Sequence, residues 1–113
     1  RSTLFPYTTL FRSLADVVVQ QPECFDRAFG IVHQLRGSGI RTVIDLAGRS
    51  MKAQLREANR QHALWALFVG GNELASGLYP LKNLATSIQE TLAIDAVVAA
   101  IRQSERENRD IVS

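Results

Sequence analysis

The residue types best suited to chemistry in this 113-residue chain gather in one stretch, Gly48-Arg49-Ser50-Met51-Lys52-Ala53-Gln54-Leu55-Arg56-Glu57-Ala58-Asn59-Arg60. Its cations Arg49, Lys52, Arg56 and Arg60 stand against one acid, Glu57, with the amides Gln54 and Asn59 among them. Lys52, Arg56, Asn59 and Arg60 recur at i, i+4, i+7 and i+8, so in a helix they share a stripe. Guanidinium and ammonium groups neutralise phosphates and amides hydrogen-bond base edges, so such a stripe suits nucleic acid. A merely solvated helix face has the same composition, and the residues alone leave both readings open.

Other chemistries lack their residue sets. Cys24, His33 and His62 have no metal-ligand spacing. Cys24 reads as a packing residue, His33 as a helix-surface residue, and His62 as part of the loop before a strand. Ser38 sits between Gly37 and Gly39, but after a helix and without the Gly-x-Ser-x-Gly spacing of a nucleophile elbow. No Walker-type loop or dinucleotide fingerprint occurs. Gly70-Gly71 could cradle a phosphate but reads more simply as a turn. Asp45, near the end of a strand, stands where dinucleotide folds bind ribose, yet no glycine fingerprint accompanies it. The acids are scattered, and none pair for acid–base work. No catalytic residue and no metal site are assigned.

The elements that position these groups follow from apolar periodicity. Asp16 to Val19 reads as a buried strand. Pro22 and Glu23 mark a helix start, and Phe25, Ala28, Phe29, Val32 and Leu35 form its apolar face. Gly37-Ser38-Gly39 ends that helix. Ile40 to Ala47 carries a second strand, and Gly48-Arg49 turns into the basic helix, with Ser50 as its N-cap. That helix runs to about Gln61, and Met51, Leu55 and Ala58 are its apolar stripe. Its N-terminus offers backbone N–H groups to a phosphate at the C-terminal edge of a parallel strand. Ala63 to Val69 reads as a central strand covered on both faces. Gly70-Gly71-Asn72 breaks it. A hairpin follows, with strands near Leu78 to Lys82 and Ile88 to Leu92 around Leu84 to Ser87. A last helix uses Ile94, Val97, Val98 and Ile101. Ser104 to Ser113 reads as a frayed polar tail. The expected order is β-α-β-α-β-β-β-α. It gives a three-layer α/β fold with a mixed five-stranded sheet, three strands parallel and two in an antiparallel hairpin, and about three helices.

Bulk properties set the bounds. The length suits one domain, and no run approaches the roughly 20 apolar residues of a membrane span. One cysteine forbids an internal disulfide and suits a reducing compartment, so a cytoplasmic location is expected. The net charge of +2 invites a nucleic-acid reading. However, Arg1 and Arg12 lie in the first 13 residues, which hold no acid, and the remainder carries 11 basic and 11 acidic residues. Any nucleic-acid face must therefore come from uneven distribution. Residues 1–13 lack apolar periodicity and are similar to a translated sequencing-adapter oligonucleotide. The domain is expected over residues 14–103 with a tail at 104–113, and the natural protein is expected to continue upstream of Leu14.

Ordered motifs then carry a resemblance. Gly48-Arg49-Ser50-x-Lys52-x-Gln54, the following Arg56-Glu57-Ala58-Asn59, and Val69-Gly70-x-x-Glu73-Leu74-x-x-Gly77 resemble the C-terminal anticodon-binding domain of histidyl-tRNA synthetases. Lys82-Asn83-Leu84-Ala85-Thr86 is similar to that family's hairpin, and Gln89 stands where its second hairpin strand carries glutamine. The chain departs from the family at Gln20-Gln21-Pro22-Glu23, commonly Pro-Leu-Gly-Glu, and at Ser87, commonly glycine. The resemblance implies a class II fold unit that grips the histidine-tRNA anticodon stem-loop for an upstream catalytic domain. That missing domain would use ATP and magnesium; no cofactor is expected here, and no membrane partner. Arg49, Lys52, Arg56 and Asn59 are the implied RNA contacts, with Gln54, Lys82, Asn83 and Gln89 as further candidates. Gln54 could instead order the turn, and Lys82 could simply protect an edge strand.

Three alternatives stay in view. Prolyl-, threonyl- and glycyl-type anticodon domains share the fold, but there the lysine is usually followed by Ile-Arg, unlike Lys52-Ala53-Gln54. A protein-interaction module could reuse the fold. A receiver-like domain needs acids at the end of the first strand, which Val19-Gln20-Gln21 does not supply.

Overall fold

Strand-forming runs of β-branched residues alternate with amphipathic helices along the chain. The computed structural model describes residues 14–45 and 50–112, with side chains as far as 107. Five strands form one sheet: β1 (Leu14–Val19), β2 (Arg41–Ile44), β3 (Trp65–Val69), β4 (Tyr79–Asn83) and β5 (Gln89–Leu92), in the order β2-β1-β3-β4-β5. β1 is parallel to β2 and β3, and β3-β4-β5 is antiparallel. The expected mixed sheet is thus the observed one. Every residue of β1 and β3 is buried, as the two central parallel strands require.

Helices cover both faces. α1 (Phe25–Gly37) follows a 3-10 turn at Pro22–Cys24; α2 is Met51–Arg60, α3 is Gly71–Ser76 and α4 is Ile94–Val112. Side chains alternate along each strand. Ala15, Val17, Val19, Trp65, Leu67 and Val69 meet α1 and α4 on one face. Leu14, Val18, Ala66 and Phe68 meet α2 on the other, through Leu55 and Ala58. Each fully buried Val, Leu or Ile contributes roughly 1.5–3 kcal/mol. Leu35, Ile40, Leu67, Val97 and Ile101 are among these anchors.

Three local features differ from the periodicity reading. The buried face of α1 is Ala28, Ile31, Val32 and Leu35, whereas Phe29 is 44% exposed and packs its ring against Phe25 at the stripe's edge. Gly70-Gly71-Asn72 does not form a plain turn but opens the short α3. Residues 104–112 do not fray: they extend α4, whose outer face is tied by Gln103 donating to Glu107 (3.2 Å) and Arg106 donating to Gln103 (2.7 Å). With α3, the helices number four among the described residues, where about three were expected. Glycine at the end of α1 acts as anticipated, with Gly39 at φ 85°. No helix of the described residues is long and apolar enough to cross a membrane. Residues 1–13, with the adapter-like reading, and Leu46, Ala47, Gly48 and Arg49 lie outside the described residues.

Candidate nucleic-acid interface

α2 is built to show one polar face. Ser50 caps it, its Oγ accepting from the Ala53 N–H at 3.2 Å, so one of the N-terminal donors is already satisfied. The helix seats Gln54, Leu55 and Ala58 toward the sheet. Met51, expected in that stripe, is 40% exposed, and Gln54 occupies the buried position instead.

Lys52, Arg56 and Asn59 are exposed on the outer side of the helix. Among the described residues none of their side chains has a hydrogen-bond or ion-pair partner. Lys52 and Arg56 are like charges four residues apart, an arrangement that slightly disfavours the helix. Arg60 shares the sequence stripe but is committed: its guanidinium pairs with Glu57, whose Oε2 also accepts from Gln61 Nε2 at 2.9 Å. Arg49 lies outside the described residues.

Gln54 departs from its assignment as an RNA contact. It is 1% exposed. The Val19 N–H donates to its Oε1 at 3.0 Å, and its Nε2 donates to the Val19 carbonyl at 2.8 Å. Both halves of the amide are engaged by Val19 and the side chain is buried, so a base edge has no access to it. The only sequence signal was position: Gln54 is three residues after Met51 and four before Ala58, on the apolar stripe.

The hairpin supplies a second group of candidates. Lys82 faces Gln89 across the β4–β5 pair and Ala66 across the β3–β4 pair, which puts both side chains on the sheet face that α2 covers. Lys82 is half-buried and Gln89 is exposed. Asn83 alternates to the other face, and its Oδ1 accepts from the N–H groups of Ala85 (2.9 Å) and Thr86 (3.1 Å). That carbonyl orders the turn and is withdrawn from base recognition. Five candidates therefore share one side of the molecule: Lys52, Arg56 and Asn59 on α2, Lys82 and Gln89 on the hairpin.

The departing loop after β1 also has a structural use. The Gln20 N–H donates to the Val69 carbonyl at 2.9 Å, and Gln21 Oε1 accepts from the Gly71 N–H at 2.9 Å. Gln20 and Gln21 thus link the C-terminal ends of β1 and β3, where open α/β sheets bind ligands. A Cβ on Gly70 would lie 2.7 Å from Glu73 Oε1, the far end of a side chain that would have to shift.

One cluster had no sequence signal. Asp16, on the α2 side of β1, is 2% exposed, and its Oδ1 has no hydrogen-bond partner among the described residues. Burial, then the charge of Asp45, then that of Glu57 raise its pKa to about 7. The three acids are far apart in sequence, and only the β1–β2 register and the seating of α2 bring them together.

Comparison with known proteins agrees with this geometry. The family model described as anticodon binding domain matches residues 15–104. The histidine–tRNA ligase of Chlorobium chlorochromatii is 63% identical over 82 residues, 73% of this chain and 19% of that protein. The structure of apo histidyl-tRNA synthetase from S. aureus superposes with a TM-score of 0.73 at 26% identity, over 80% of this chain and 23% of that one. The RNA binding domain of threonyl-tRNA synthetase from Cryptosporidium parvum shares the fold, with a TM-score of 0.74 at 18% identity over 82% of this chain and 23% of that one. The chain spans about a fifth of the length of the curated relatives it matches. With its five-stranded mixed sheet, its two-sided helical cover and a family match over nearly all the described residues, this chain belongs to the anticodon-binding domain family.

Proposed function

We propose that this chain grips the anticodon stem-loop of histidine tRNA on behalf of a catalytic domain in the same polypeptide, in the cytoplasm. The observation that carries the reading is the outer stripe of α2: Lys52, Arg56 and Asn59, exposed and without side-chain partners among the described residues. A helix that keeps two cations four residues apart and unneutralised gives up stability for a charge it presents outward. Anticodon bases are splayed from their loop, so amide and guanidinium groups reach their edges while ammonium and guanidinium groups neutralise phosphates. Lys82 and Gln89 extend the same side across the hairpin, and Arg49, outside the described residues, stays a candidate on the resemblance alone. The histidyl type is favoured over the prolyl, threonyl and glycyl types by Lys52-Ala53-Gln54 and by the 63% identity to a histidine–tRNA ligase. The parent reaction would be class II aminoacylation with ATP and magnesium, carried out by the catalytic domain.

The test is a paired substitution. Lys52→Ala with Arg56→Ala should weaken stem-loop binding by about tenfold or more at low salt, the loss of two phosphate or base-edge contacts. The melting temperature should stay within about 2 °C, because exposed residues without partners contribute little to stability. Unchanged affinity would remove α2 from the interface.

A further inference from the structure

We propose that Gln54 is a positioning residue for RNA recognition: its buried amide fixes the rotation and axial register of α2 on β1, and so aims Lys52, Arg56 and Asn59. The proposal rests on the reading of that stripe as an RNA surface.

The sheet explains why an amide is needed. β1 pairs with β3 as far as Val19↔Val69, and among the described residues its pairing with β2 runs to Val17↔Ile44. The Gln20 N–H reaches the Val69 carbonyl, so by strand alternation Val19's own N–H and C=O point away from β3. Gln54 supplies the missing donor and acceptor from 35 residues away, at 3.0 and 2.8 Å. An aliphatic residue of equal volume would remove the partner that both buried backbone groups have among the described residues. A two-point hydrogen bond also resists rotation and sliding, whereas apolar contact is non-directional.

Helix geometry carries that constraint outward. At 3.6 residues per turn, Lys52, Arg56 and Asn59 point about 140–160° away from Gln54 around the α2 axis. A helix free to roll about its apolar stripe would sweep these three side chains across the surface. A helix pinned at Gln54 holds them in one direction.

The experiment uses the 113-residue chain with Gln54→Met and Gln54→Glu. Residual dipolar couplings report the orientation of α2 relative to the sheet, and amide exchange reports the Val19 N–H. Fluorescence anisotropy gives the ratio of affinities for matched and scrambled anticodon stem-loops. The Met variant should shift the α2 couplings while sparing those of β1 and β3. It should also speed Val19 exchange and lower the affinity ratio by about tenfold, the worth of one well-aligned base-edge pair. The Glu variant should keep the wild-type orientation and ratio near pH 5, where a protonated carboxyl both donates and accepts. It should lose them near pH 8, with the wild type measured at both pH values as control. Unchanged α2 couplings in the Met variant overturn the proposal, as does an unchanged ratio where the wild type discriminates. If the Met variant does not fold, pH-independent couplings in the Glu variant overturn it. A wild type that fails to discriminate defeats the RNA reading, while the couplings still decide whether Gln54 positions α2.

Discussion

At the scale of single residues, Asp16 makes the sharpest statement. In the unfolded chain it ionises near pH 4, whereas in the fold burial and the nearby Asp45 and Glu57 raise its pKa to about 7. Between those values the native state holds a proton that the unfolded chain has lost. The contribution of this group to stability therefore falls as pH rises from about 4 through 7, by up to about 4 kcal/mol at 1.36 kcal/mol per unit. Asp16→Asn should match the wild type in denaturant titration near pH 4 and exceed it near pH 8; parallel pH profiles would contradict the burial argument. Ser87 is a second case. It adopts φ 64°, which disfavours a residue with a Cβ, while its N–H donates to the Asn83 carbonyl at 2.7 Å. Ser87→Gly should raise stability by about 0.5–1 kcal/mol, a melting-temperature gain of a few degrees. The roles of Ser50 as cap and Cys24 as packing residue were legible because they depend on near neighbours. Gln54 and Asp16 were not, because their partners come from other elements and their residue types usually face water.

At the scale of elements, hydrophobic period carried most of the fold. β1, β3, the hairpin and three helices follow from alternation and 3.6-residue spacing. α3 was hidden because Gly70-Gly71 is a poor helix start by propensity; it forms because Gln21 accepts from the Gly71 N–H and Leu74 packs against the main core. The end of α4 was hidden because it has no apolar stripe, and its side-chain pairs maintain the helix instead. Among the described side chains of α4, only Val97 and Ile101 are fully buried. Removing residues 104–113 should therefore cost less than about 1 kcal/mol in chemical denaturation, whereas Ile101→Ala should cost about 2–5 kcal/mol. Equal losses would mean that the distal helix packs on something it is not seen to touch. The outward stripe of α2 was legible as a stripe; its separation into exposed contacts, the paired Arg60 and the buried Gln54 needed the sheet beneath it.

At the scale of the whole molecule, charge is a poor guide and its placement a good one. Outside residues 1–13 the formal charges cancel, yet Lys52 and Arg56, without partners among the described residues, lie on the side of the sheet that Lys82 shares. A binding surface of this kind should be salt-sensitive, with log affinity falling on log salt by about 0.7 per phosphate neutralised on single-stranded RNA. The most direct measurement is fluorescence anisotropy of the 113-residue chain with a histidine-tRNA anticodon stem-loop and a loop-scrambled control across a salt series. The account predicts tighter binding of the matched loop at every salt concentration, with both affinities falling as salt rises. Equal affinity for the two loops, or no binding even at low salt, would contradict it.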